Sequence, residues 1–124
     1  MPGKPLSQAF NLTRGAVVAA RVELADDYES RSRGLLGRDL LPPGEALWIG
    51  PCPCGEMIHT FFMRFAIDVI FLDKNRRVVR VIERLKPWRL TAWVLRARSV
   101  LELPAGTLDG SVRVGDEIEL RPAD

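Results

Sequence analysis

A mainly β domain, an antiparallel β-sandwich or irregular barrel with one short α-helix near residues 27–36, is the fold class this sequence predicts. Short runs rich in β-branched and large apolar residues recur along the chain (AVVAARVEL, ALWIG, VVRVIERL, SVLEL, EIELR), and glycine or proline clusters separate them. One stretch only, DDYESRSRGLLGR, carries a helix start signal. The 124 residues, 47% hydrophobic and 27% charged, fit one globular domain large enough to bury its own core, which excludes disordered, collagenous and coiled-coil classes.

Taken in order, residues 1–15 contain Pro2, Gly3, Pro5 and Gly15 and show no sustained period. They are expected to be a flexible lead-in to a single compact β-rich domain over residues 16–124. Residues 16–24 fit a first strand. Asp26, with Glu29 three positions on, resembles a capping box that opens a short helix, and Gly34 and Gly37 end it. PPGE at 42–45 is a turn, ALWIG at 46–50 a strand, and PCPCGE an irregular loop, because Pro51 and Pro53 remove donors and fix φ.

Residues 58–73, IHTFFMRFAIDVIFLD, form the longest apolar run, and their aromatic and β-branched content favours a strand. Helical spacing would equally align Thr60, Arg64 and Asp68. DKNRR then turns into the strand VVRVIERL. LTAWVLRAR is ambiguous, SVLEL at 99–103 is a strand, PAGTLDG is a turn, and VGDEIELR leads into the last strand.

Charge is unevenly spread behind a net +2. Residues 74–98 hold nine bases against Glu83 alone, while residues 99–124 hold two bases against six acids. Arg76, Arg77, Arg84, Lys86, Trp88 and Arg89 therefore form a candidate surface for an anionic partner, to be weighed against ordinary solvated strand faces. Arg64 and Asp68 interrupt the one run that approaches a membrane span, so a membrane is not an expected partner. The N-terminal AVVAA is too short for the core of a signal peptide, and two cysteines cannot build a disulfide framework, so a cytoplasmic location is expected.

Asp68 is the most informative residue. A carboxylate between Ile67 and Val69 needs a cation or several backbone donors if it is buried. Arg64 would lie about 13 Å away along a straight strand, so Arg31, Arg33 and Arg38 are better placed to reach it. Two roles stay open: an arginine–carboxylate latch between helix and sheet, or a pocket acid. The candidate ligand pocket gathers His59, Arg64 and Asp68 with Arg31, Arg33, Arg38 and Cys54.

Other chemistry has less support in the residues. Cys52, Cys54, His59 and Asp68 are ligand types, but C-x-C is not finger spacing and there is one histidine, so no metal is expected. Neither a Walker loop nor G-x-G-x-x-G is present, and no cofactor is expected. An enzyme would use Cys54 with His59 and Asp68, Gly55 allowing a substrate close to the thiol; Ser30, Ser32 and Ser99 lack a nucleophile elbow. Trp88 among Arg84, Lys86 and Arg89 could stack on a base, although nucleic acid is not the expected partner.

The blocks RSRGLLGRDLLPPGEALWI, IHTFFMRFAIDVIFLD, RVVRVIERLKPWR, VLELPAGT and VGDEIEL, in that order and spacing, resemble the bacterial and archaeal domain of unknown function 192 family over roughly residues 16–121. Ala66 stands where members often carry proline. The resemblance implies a compact β-rich fold and supplies no catalytic residues. The expected function is a small binding or interaction domain whose partner is a small molecule or a protein. The alternatives are a small hydrolase or transferase using Cys54, His59 and Asp68, and an anionic-partner binder through residues 74–98.

Overall fold

The computed structural model describes residues 7–122. Along that chain lie β1 (Ser7–Asn11), β2 (Ala16–Ala25), α1 (Tyr28–Arg33), β3 (Glu45–Ile49), β4 (Ile67–Leu72), β5 (Val78–Leu85), β6 (Ser99–Pro104) and β7 (Ile118–Pro122). The strands form one sheet in the order β5-β4-β6-β3-β2-β1-β7, curled into a half-barrel. The outermost strands meet at one corner: Val78 N donates to Asp116 O (2.8 Å) and Ile118 N to Arg76 O (2.9 Å). The mainly β class with one short helix is therefore the fold observed, as a half-barrel of one mixed sheet.

Every ladder is antiparallel except β2 with β3, which run parallel in the register Arg21↔Glu45 to Ala25↔Ile49. Parallel neighbours need a long crossover, and residues 26–44, containing α1, supply it. Asp27, not Asp26, is the N-cap: its side chain accepts from Ser30 N, and Glu29 sits in the first turn. Gly34 closes the helix at φ +53°, with its N–H on Ser30 O.

β4 and β6 are interior strands buried on both faces, apolar except at Asp68, Ser99 and Glu102. One face packs inside the curl, where Ile70, Leu72, Leu101 and Leu103 meet Ala9, Val22, Leu108 and Ile118. On the other face Val69, Phe71 and Val100 pack under a cover of Leu35, Leu41, Ile58, Met63 and Ala97, drawn from the turn after α1 and the irregular loops. Strands buried on both sides show no alternation of polar and apolar residues.

Two segments differ from expectation. The first six residues of the expected lead-in lie outside the described residues, but Ser7–Asn11 is a strand between β2 and β7. Its short, partly polar sequence gives little local signal, because its partners come from distant parts of the chain. The second is the run 58–73, in which only Ile67–Leu72 is strand.

Residues 56–60 instead pair irregularly with residues 88–94, through bridges Glu56↔Val94 and His59↔Leu90. Thr60 is the hub, fully buried: its Oγ1 donates to Lys86 O (2.6 Å) and accepts from Arg89 N (2.9 Å), and its carbonyl accepts from Trp88 N (2.9 Å) and Met63 N (3.1 Å). Phe62 then turns the chain at φ +65°. Strand propensity reports how a side chain fits a pleated surface, and here the backbone partners lay elsewhere.

Candidate functional site

Asp68 has no solvent exposure, and its partners are backbone amides rather than an arginine. Oδ1 accepts from Arg84 N (2.9 Å) and Gly106 N (3.3 Å), and Oδ2 from Leu108 N (2.9 Å). The carboxylate thus ties β4 to the end of β5 and to the turn after β6. This corrects the arginine latch. Arg64 pairs with Asp39, Arg33 with Glu29 (2.6 Å), Arg38 with Glu23 (3.1 Å), and Arg31 donates to Asp26 O (3.2 Å).

The expected pocket is only partly assembled. A cavity of about 370 Å³ opens between α1 with its following turn, the loop 49–59 and β6. Arg31, Arg33 and His59 line it, whereas Arg38, Cys54, Arg64 and Asp68 do not. Register explains why Asp68 is absent. Val69 stands opposite Glu102, which lines the cavity, and Asp68 stands opposite Leu103, on the other face of the sheet.

Glu102 is the residue that sequence reasoning missed. It is 4% exposed, lies in mid-strand between Leu101 and Leu103, and makes no side-chain hydrogen bond or ion pair among the described residues. Burial, reinforced by the charge of Glu56 and opposed by Arg38, pushes its carboxyl up to about 7. SVLEL contains the same signal as IDVIF, a single acid in a buried strand, and it could have been found by that rule.

Cys52, not Cys54, is the cavity thiol. It is buried, with Sγ 3.4 Å from Glu56 Oε2, while Cys54 is exposed. Burial, with the neighbouring Glu56 charge, pushes Cys52 up to about 12, which is the opposite of an activated nucleophile. Among the described residues no group of three His, Cys, Asp or Glu could hold a metal ion. The Cys54, His59 and Asp68 set expected of an enzyme is not brought together, and His59 stacks on Phe61 with ring centroids 5.1 Å apart. Apolar Leu35, Leu36, Ile49, Ile58 and Met63 complete the walls.

The expected anionic-partner surface is divided. Arg76 lies over the Trp48 ring (5.4 Å), and Arg77 reaches Glu117 (3.5 Å) and Gly115 O (3.2 Å) at the barrel corner. Arg84, Lys86, Trp88 and Arg89 lie at the far end of β5, about 25 Å away at the rise of an extended strand.

Residues 10–120 match the DUF192 family, described as an uncharacterized ACR. The chain belongs to that family. A UPF0127 protein of Thermococcus sibiricus is 38% identical over 89% of this chain and 72% of its own length. A UPF0127 protein of Pyrococcus furiosus is 37% identical over 89% of this chain and 95% of its own. The crystal structure of a proposed transcription regulator from Sinorhizobium meliloti superposes with a TM-score of 0.80 at 22% identity, covering 97% of this chain and 96% of that one. That likeness carries the fold alone.

Proposed function

We propose that this DUF192 domain binds a small organic cation, an amine on an apolar stem, in the cavity that Glu102 enters. One observation carries the reading: a carboxyl nine-tenths buried, without a hydrogen-bond or ion-pair partner among the described residues, faces a cavity of ligand size. An unpaired buried carboxylate is costly. A ligand ammonium would offset that cost by holding Glu102 ionised, and Glu56 adds a second negative charge to the same space. Leu35, Ile49, Ile58 and Met63 supply apolar walls for the stem, and Arg31 and Arg33 leave room for an anionic group on the same molecule. Both cysteines are free, which suits a reducing cytoplasm as the place of action.

The test is a thermal-shift and calorimetric comparison of alkylamines, amino acids and alkyl carboxylates of matched size. Amines are expected to raise the melting temperature, more strongly above pH 7 where Glu102 is ionised, and Glu102→Gln is expected to remove the effect. Carboxylates binding as well as amines, or amine binding unchanged in Glu102→Gln, would refute the reading.

A further inference from the structure

The irregular ribbon of residues 56–64 and 86–98 presents an apolar surface that borders the cavity at Met57 and His59 and extends beyond it. His59, Phe61, Trp88 and Phe62 form a continuous chain of rings, with centroid separations of 5.1, 6.2 and 4.5 Å. Beside them Met57, Leu90, Trp93 and Leu95 are also exposed, Phe62 at 72% and Leu95 at 69%. Scattered exposed apolar residues are ordinary, but a contiguous set of this size on one element marks a contact surface.

The ribbon is rigid and strained in the direction of exposure. Thr60 ties its two segments together, and Trp93 lies over Gly55, where a Cβ would come within 2.7 Å of Nε1. Phe62 and Trp88 both sit at φ +65°, a left-handed conformation that is unfavourable for bulky residues. The chain incurs that cost at the two tips whose rings point outward.

Charge selects the occupant. Residues 56–64 and 86–98 contain Arg64, Lys86, Arg89, Arg96 and Arg98 against a single acid, Glu56. Two copies meeting through this face would set like charges together, so a second copy is disfavoured. Single-stranded nucleic acid needs open ring faces, yet Phe62 and Trp88 close on each other at 58°, and Leu90, Leu95 and Met57 have no ring to stack. Aromatic and aliphatic tips inside a set of cations are what a phospholipid interface accepts: rings and hydrocarbon enter the headgroup boundary while lysine and arginine meet anionic lipid.

We infer that this ribbon docks the protein peripherally onto an anionic lipid membrane, with Phe62, Trp88, Trp93 and Leu95 inserting at the level of the headgroups. No helix of the described residues is long and apolar enough to cross a membrane, so the contact is with the surface. The inference uses none of the ligand chemistry assigned to Glu102 and fails or stands separately from it.

The test is co-sedimentation of the full chain with phosphatidylcholine vesicles and with vesicles containing about one third phosphatidylglycerol, read alongside tryptophan emission. The protein should pellet with the anionic vesicles only, shift its emission to the blue, and release at high salt. Phe62→Ser with Trp88→Ser should lower partitioning at least about tenfold, and Arg89→Ala about fivefold, while Arg76→Ala at the barrel corner should leave it unchanged. Circular dichroism of each variant checks that these exposed changes keep the fold. Failure to pellet, equal pelleting with neutral vesicles, an unaffected ring variant, or preference for an oligothymidylate over anionic vesicles would each overturn the inference.

Discussion

Asp68 and Glu102 occupy neighbouring rungs of the same ladder, Asp68 opposite Leu103 and Glu102 opposite Val69, and point to opposite faces of the sheet. Both are acids in apolar strands. Asp68 meets three backbone donors inside the curl, whereas Glu102 meets none among the described residues and faces a cavity. One residue of register separates a structural carboxylate from a candidate binding group.

Glu102 should give stability an unusual dependence on pH. Its folded-state value of about 7 lies above the ordinary 4.5, so the native state holds the proton more tightly than the unfolded chain. Stability from this group is full below about pH 4.5, declines as pH rises toward 7, and stays reduced above it, by about 3 kcal/mol in all. Urea unfolding across that window should show the decline, and Glu102→Gln should flatten it. An identical slope in the variant would mean that the carboxyl is not buried as described.

Asp68→Ala should destabilise the fold by about 3–5 kcal/mol, since three buried or part-buried amides lose a charged acceptor. Arg64→Ala should cost less than about 0.5 kcal/mol, because its pair with Asp39 is exposed. The double variant should be additive. Coupling between the two positions in denaturant titrations would mean that Arg64 reaches Asp68 after all.

That contrast shows what the sequence made legible. An acid between Ile67 and Val69 must be satisfied, and that reasoning located a structurally important residue. It could not tell arginine from backbone donors, because Gly106 and Leu108 reach Asp68 only through the turn after β6. The strand runs around 16–24, 46–50, 78–85 and 99–103 were legible from local composition. β1 and the 56–60 ribbon were not, since both owe their shape to partners far along the chain. Of the seven residues expected in one pocket, Arg31, Arg33 and His59 line the same cavity, and Glu102 was passed over although its setting repeats that of Asp68.

Thiol chemistry offers a third check. Native protein treated with a maleimide near pH 7 should be labelled at Cys54 and spared at Cys52, whose thiol is buried and held protonated. Unfolded protein should take two labels. Faster labelling at Cys52 would require an open loop 49–59.

Gly55 tests the ribbon. It adopts φ +97°, and a Cβ there would lie 2.8 Å from Val94 O and 3.0 Å from Leu95 Cα. Gly55→Ala should cost about 1–3 kcal/mol in thermal unfolding. Hydrogen exchange should rise at the Glu56 and Val94 amides, which donate to each other's carbonyls. Unchanged protection would mean that the two segments move independently.

The barrel corner has a consequence for how the chain acquires its shape during synthesis. β1 pairs with β7, and Asn11 Nδ2 donates to Asp116 Oδ2 (3.0 Å) across 105 residues. Arg14 Nε and Arg113 N complete the carboxylate's shell. Nothing emerging from the ribosome before residue 113 can supply these partners, so the first strand must wait with one edge unpaired until Ile118–Pro122 has been made. Contacts this distant in sequence bear a large loop-closure cost and form slowly. Closure is therefore a late event in the making of this domain, and a nascent chain stalled short of Asp116 would hold a sheet that cannot yet curl shut.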